Sequence, residues 1–136
     1  MINDMLNLEI VTPEKKVLSE AVESVTIPTA SGEVGILSNH APLISSLKPG
    51  ILSYTKAGAT EKMVISGGFV EVSADNVSVL ADVAETSGEV NIEAAKTERD
   101  EAEKELNAWK GSEEEFEAEM ERLERAQARL QLSSGR

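Results

Sequence analysis

All four prolines of this chain, Pro13, Pro28, Pro42 and Pro49, fall in its first half, and that asymmetry constrains the fold more than any other feature. Proline removes a backbone donor and clashes with the preceding turn of a helix, so long helices are excluded there. From Asn91 onward there is no proline and one interior glycine, Gly111, among residues that are mostly Glu, Ala, Arg, Lys and Leu. These are strong helix formers. The change falls near Ser87-Gly88, which divides the chain into residues 1–88 and 89–136.

The first part reads as strands. Leu6, Leu8 and Ile10 alternate with Asn7 and Glu9, the period of a half-buried strand. Thr12-Pro13-Glu14 then breaks the chain. Val22, Val25 and Ile27 mark a second strand, expected to stop at Pro28. From Gly32 to Leu43 the sequence Gly-Glu-Val-Gly-Ile-Leu-Ser-Asn-His-Ala-Pro-Leu reads as a shaped loop, in which Gly32 and Gly35 are free to adopt positive φ. Lys48-Pro49-Gly50 turns into Ile51–Lys56, Ala57-Gly58-Ala59 reverses into Glu61–Ser66, and Gly67-Gly68 precedes Phe69–Ser73. A turn at Ala74-Asp75-Asn76 leads to Val77–Ala81. Short strands separated by frequent turn signals predict an antiparallel β-sandwich or barrel.

The second part predicts an antiparallel two-helix hairpin. Asn91 is placed as an N-cap, and Ile92, Ala95, Ala102, Leu106 and Trp109 follow helical spacing, interrupted by Arg99. Gly111 is expected to end this helix in a left-handed conformation. Ser112 with Glu115 forms a capping box for the next helix, whose apolar positions are Phe116, Met120, Leu123, Ala126 and Leu130. The tail from Ser133 to Arg136 is expected to fray. Helices of this length are marginal alone in water, so the hairpin needs the sandwich or another protein, and a weakly docked element is a candidate moving part.

Composition narrows function. With 25 acids against 13 bases, a net charge of −12, the chain lacks the clustered cations that nucleic acid or an anionic lipid surface would require. No run approaches the roughly 20 apolar residues of a membrane span, and the start Met1-Ile2-Asn3-Asp4 has no basic region. Cysteine is absent, which excludes disulfides and thiolate metal sites and fits a reducing compartment. His40, the sole histidine, lies near Ser38 and Ser45, but no nucleophile elbow or phosphate loop occurs, and no zinc set can be assembled. Neither catalysis nor a resident metal is expected. Glu113-Glu114-Glu115 suits the positive end of a helix dipole. Arg122, Arg125 and Arg129 share one helix face. That row reads either as dipole complementarity with local pairs such as Glu119–Arg122 and Glu121–Arg125, or as a basic stripe for an acidic protein surface.

The motifs taken together resemble the ε subunit of rotary F-type ATP synthases across roughly residues 6–132. They are Ile10-Val11-Thr12-Pro13-Glu14-Lys15, Gly32–Leu43, Lys48-Pro49-Gly50, Gly67-Gly68-Phe69-Val70-Glu71-Val72 and Ala126-Gln127-Ala128-Arg129-Leu130. The resemblance implies a non-catalytic rotor subunit of the central stalk that couples the catalytic head to the c-ring. It implies that Ser31, Gly32 and Glu33 face the c-ring, and that His40, Ala41, Pro42 and Leu43 lie near the γ subunit. The hairpin would be regulatory, permitting ATP hydrolysis when folded down. When extended it would inhibit, with Arg122, Arg125 and Arg129 meeting acidic segments of the α and β subunits. The complex would sit peripherally on the cytoplasmic side of the plasma membrane, or on a thylakoid or other energy-transducing membrane, with no lipid anchoring of this chain. No cofactor is expected. Some members bind regulatory ATP through Ile-Asp-x-x-Arg-Ala; here Ile92, Glu93 and Lys96 stand in that pattern, and Lys lacks the planar fork of Arg, so weak or absent nucleotide binding is expected. Composition and periodicity alone also suit a generic sandwich-and-hairpin adaptor of another assembly.

Overall fold

The structure, a computed structural model, describes residues 5–134; the four residues at the start and the Gly135-Arg136 end of the expected fraying tail lie outside the described residues. Ten strands precede two helices: β1 Leu6–Val11, β2 Lys16–Val22, β3 Ser24–Thr29, β4 Gly32–Ile36, β5 Leu43–Ser46, β6 Gly50–Lys56, β7 Ala59–Ser66, β8 Phe69–Ser73, β9 Asn76–Leu80 and β10 Val83–Glu85, then α1 Ile92–Asn107 and α2 Glu113–Ser134. A single 3-10 turn, Ser87–Glu89, joins the two parts.

The strands form two five-stranded sheets, ordered β2-β1-β9-β8-β5 and β10-β7-β6-β3-β4. Alternate residues of each face inward, and Leu6, Leu8, Ile10, Val25, Ile27, Leu52, Ile65, Val70, Val72, Val77 and Val79 are almost completely buried in one aliphatic core. Tight reversals at Ala57-Gly58 and Ala74-Asp75 have positive φ at both positions, matching the twist of the hairpins they close. One pairing departs from the antiparallel expectation: β1 runs parallel to β9, with Asn7 opposite Asn76 and Val11 opposite Leu80.

Three sequence expectations need correction here. Lys16–Val22 is a separate edge strand, and the next strand does not stop at Pro28 but continues to Thr29, with Pro28 opposite Glu33. The Pro28 carbonyl accepts from the Lys48 N–H, so its nitrogen faces the same side, where pairing with β6 has already ended at Thr26. No ladder bond is lost. Gly111 is not in the left-handed region; the helix closes at Ala108, whose N–H donates to the Glu105 carbonyl. Glycine is needed at 111 for space, because a Cβ would lie 2.8 Å from the Trp109 ring. That ring stacks edge-on against Phe116 and donates from Nε1 to the Ser112 carbonyl. Finally, Ile92 and Phe116 of the expected apolar stripes are exposed; Ala95, Ala102 and Ala126 are their fully buried members, with Leu106, Met120, Leu123 and Leu130 half-buried. Small side chains let the two helices approach closely.

Both helix starts form as read. The Asn91 side chain accepts from the Ala94 N–H at 2.9 Å. The Ser112 hydroxyl accepts from the Glu115 N–H, and Glu115 accepts from the Ser112 N–H at 3.1 Å. Ser133 and Ser134, expected to fray, still belong to α2.

The second sheet is covered on both faces. Met63 and Ile65 of β7 point into the sandwich, while Val64, opposite Ile51, joins Ala128 and Leu132 of α2 in a separate small cluster edged by Val90. The cluster's helix residues, Ala128 and Leu132, lie outside the apolar positions read from the sequence.

Two outcomes test this framework. Gly68 has φ +86°, and a Cβ there would sit 1.8 Å from the Leu80 carbonyl oxygen. Gly68→Ala is expected to lower unfolding stability by about 3 kcal/mol, read from a denaturant midpoint; an unchanged midpoint would contradict the close approach. Hydrogen bonds from the backbone and then the side chain of Ser112 hold the Glu115 carboxyl below its ordinary 4.5. A depressed carboxylate contributes stability above that value and loses it as pH falls through the lower folded one. The helicity lost in Glu115→Gln at neutral pH should therefore vanish in acid, and a difference that persists in acid would count against the cap.

Candidate functional site: a clamped helical hairpin

The segment Gly32–Leu43 is not one loop. Its first five residues are edge strand β4, its last residue opens β5, and only Leu37–Pro42 lies between them. Gly32 has positive φ, and Gly35 does not. The segment crosses from the edge of one sheet to the edge of the other, so its two halves reach opposite ends of the sandwich. Ser31, Gly32 and Glu33 form the exposed tip of the β3–β4 hairpin, fixed by the Thr29 hydroxyl donating to the Gly32 carbonyl at 2.7 Å. This tip is at the Leu47 and Gly68 end. His40, Ala41, Pro42 and Leu43 lie at the other end, beside the β8–β9 turn, where Asp75 accepts from the Asn39 N–H at 2.7 Å. The His40 ring pairs through Nδ1 with the Ala41 carbonyl, and His40 is half-buried. Among the described residues, no serine pairs with the ring.

The outer face of the first sheet carries a patch of exposed apolar side chains among polar ones. Phe69 and Leu80 are cross-strand partners and are 46% and 41% exposed, and Ile44, on the same face opposite Glu71, is 72% exposed. Leu37, on the adjoining loop, is also exposed. The sequence reading missed this patch, because strand alternation alone does not show that β5, β8 and β9 lie side by side. It lies on the side of the sandwich away from the hairpin.

The arginine row of α2 points into the molecule. Arg122 donates to Glu119 at 2.9 Å, as read from the sequence, and to Glu101 at 2.7 Å and Glu98 at 3.4 Å on α1. Hydrogen bonding to Glu119 and then Glu101 raises its pKa further above the ordinary arginine value. Arg129 grips Glu85 of β10 with two bonds, 2.8 and 3.1 Å, and reaches Glu98 at 3.2 Å. Arg125 reaches the buried Ser66 hydroxyl at 3.4 Å rather than Glu121. The forked guanidinium suits such two-oxygen grips. In this folded-down arrangement Arg122 and Arg129 are occupied by the chain's own carboxylates, and Arg125 turns to a serine hydroxyl.

The residues of the ATP-type pattern make a poor cradle for polyphosphate. Ile92 and Glu93 are exposed, and Lys96 lies 3.7 Å from Glu93. The cleft at the start of α1 is lined by Glu85, Glu89, Asn91, Glu98 and Arg129, three carboxylates around an arginine that already holds two of them. Among the described residues, no cluster of His, Cys, Asp or Glu is arranged for a metal ion, and no helix is long and apolar enough to cross a membrane.

Comparison with known proteins agrees with this architecture. The family profile described as ATP synthase, Delta/Epsilon chain, beta-sandwich domain matches residues 5–87. The ATP synthase epsilon chain of a Geobacter strain is 42% identical over 130 residues, covering 96% of this chain and 94% of that one. The epsilon chain of Desulfitobacterium hafniense is 48% identical over 104 residues, covering 76% and 79%. A chain in the Euglena gracilis mitochondrial ATP synthase, solved as an OSCP/F1/c-ring assembly, superimposes with a TM-score of 0.79 at 27% identity, covering 94% of this chain and 81% of that one. A Tetrahymena thermophila central stalk and c-ring structure shares the fold, with a TM-score of 0.69 at 16% identity. Sandwich, hairpin and sequence agree along nearly the whole length: the chain belongs to the ATP synthase delta/epsilon family, as an epsilon-type, non-catalytic subunit.

Proposed function

We propose that this subunit docks through its sandwich and regulates through its hairpin, joining the γ subunit to the c-ring while restraining ATP hydrolysis. The observation that carries the reading is the separation of surfaces. The exposed apolar patch on the outer face of the first sheet lies opposite the helices, which rest on the outer face of the second. The hairpin can therefore leave without disturbing a partner on the first sheet. The exposed tip at Ser31, Gly32 and Glu33 suits the polar loops of the c-ring. The loop His40-Ala41-Pro42-Leu43, with Ile44 and Leu37 beside it, suits an apolar and polar strip of γ. Contact regions at opposite ends of a rigid sandwich fit a spacer held between two partners. The complex would lie on the cytoplasmic side of the plasma membrane, or on a thylakoid or similar membrane, with this chain attached only through its partners.

In the folded-down state the helices are held by a small apolar cluster and the arginine pairs. When they extend along γ, Arg122, Arg125 and Arg129 become free to meet acidic segments of the α and β subunits, and hydrolysis stops. Truncation after Gly88 is expected to leave assembly intact and to raise ATP hydrolysis by the reconstituted complex on the order of fivefold. Equal activities with full-length and truncated chains would refute a regulatory hairpin.

Nucleotide binding by this hairpin is weak or absent in this reading. Three carboxylates crowd the cleft at the start of α1, and its arginine is already paired. Calorimetric titration of the isolated chain with ATP should show no saturable heat; micromolar affinity would overturn this.

A further inference from the structure

Glu98 holds a position that no other described residue shares. It projects from α1 and splits its two oxygens between arginines two turns apart on α2: Oε2 lies 3.4 Å from Arg122 Nε, and Oε1 lies 3.2 Å from Arg129 Nη1. Those arginines do different work. Arg122 touches only carboxylates of the hairpin itself, Glu98, Glu101 and Glu119, so it closes α1 onto α2. Arg129 also grips Glu85 on β10, so it ties α2 to the sandwich. The side chains of all four central groups are half-buried: Arg129 18%, Arg122 28%, Glu85 28% and Glu98 32% exposed. Such pairs are screened less than fully exposed ones, but salt still reaches them. The apolar contact of helix with sheet is small, with Val64, Ala128 and Leu132 at its centre. Electrostatics therefore carries a large share of the docking.

We propose that Glu98 is a positioning residue that couples closure of the hairpin to its docking on the sandwich, with α1 serving as a built-in acidic strip that occupies the arginine row until a competing polyanion or salt displaces it. The proposal rests on the mobile-hairpin reading and adds a mechanism to it. A single carboxylate shared by both clamps makes their release concerted. Loss of Glu98 leaves Arg122 with an unsatisfied guanidinium edge and weakens the Arg129 grip in the same event. An acidic protein segment that takes Arg129 would loosen α1 as well, since Glu98 then loses one of its two partners. In this chain, ionic competition takes the place that a bound ligand would fill.

The test is amide hydrogen exchange on the full-length chain without partners, followed segment by segment at low and high salt, about 0.03 and 0.5 M, which span strong and weak screening. In the wild type, amides of α1 and α2 should exchange about tenfold faster at high salt, while β1 and β9 stay unchanged. Glu98→Gln keeps the shape and removes the charge. It should exchange at the high-salt rate in both helices at either salt. Glu103→Gln, which removes an exposed charge from the middle of the same helix, should match the wild type. Protection in Glu98→Gln equal to the wild type would overturn the proposal. So would acceleration confined to α1, because the two clamps would then be independent, or acceleration spread into β1 and β9, because the whole fold would then be loosened. The truncation assay answers a separate question: no rise in hydrolysis there would refute the inhibitory role and leave the exchange result standing.

Discussion

The structure depends on burial of both faces of one strand. Met63, Val64, Ile65 and Ser66 are all buried in β7, which a sandwich strand with one wet face cannot achieve. Val64 and Ser66 are hidden only because α2 lies on them. Without the helix, Val64 would leave an apolar spot beside Ile51 and Val90, and the Ser66 hydroxyl would lose Arg125. The sandwich thus carries a seat for the hairpin within its own sheet. The seat is narrow, and α1 rests on α2 rather than on the strands. A narrow seat and a shielded ionic layer make a contact that is well defined yet inexpensive to undo.

The arginine row bears on both the folded-down arrangement and the extended one proposed above. Guanidinium groups keep their charge at any relevant pH, so the row is always cationic and must always have partners. Folded down, Arg122 and Arg129 find them in Glu85, Glu98, Glu101 and Glu119, and Arg125 finds the Ser66 hydroxyl. Extended, it would need equivalent carboxylates elsewhere. A swap of one acidic environment for another changes the net free energy little, because desolvation and pairing are similar on both sides. Small differences in the surroundings can then decide the population.

Much of the fold was legible from the chain because its signals are local. Leu6, Leu8 and Ile10 alternate, Asn91 and Ser112 cap, and Ala57-Gly58 turns, and each does so with neighbours a few residues away. What escaped depended on distant residues. The edge strand Lys16–Val22 has half-buried Val17 and Leu18 side by side, so its alternation is blurred. Ala128 and Leu132 matter only because Val64 lies across from them. The direction of the arginine row was open for the same reason: Glu98 and Glu85 come from 31 and 44 residues away, and no helical-wheel argument contains them. Gly111 was misread because its constraint is the volume of the Trp109 ring and not a backbone angle. For the site, the β3–β4 tip and the His40 loop were identified by motif, but their placement at opposite ends followed only from the change of sheet between β4 and β5.

The parallel pairing of β1 with β9 has a consequence for synthesis. The strand nearest the start of the chain lies between β2 and β9, and Leu8 meets Val77 across sixty-nine positions of sequence. On a ribosome, β1 and β2 emerge as a lone hairpin that cannot join its sheet until β9 is free of the exit tunnel. Closure of the sandwich is therefore a late, long-range event with a large loop entropy. The helices that follow are made later and arrive at a seat that has only just formed, so they dock on a surface that did not exist when their first turns were wound.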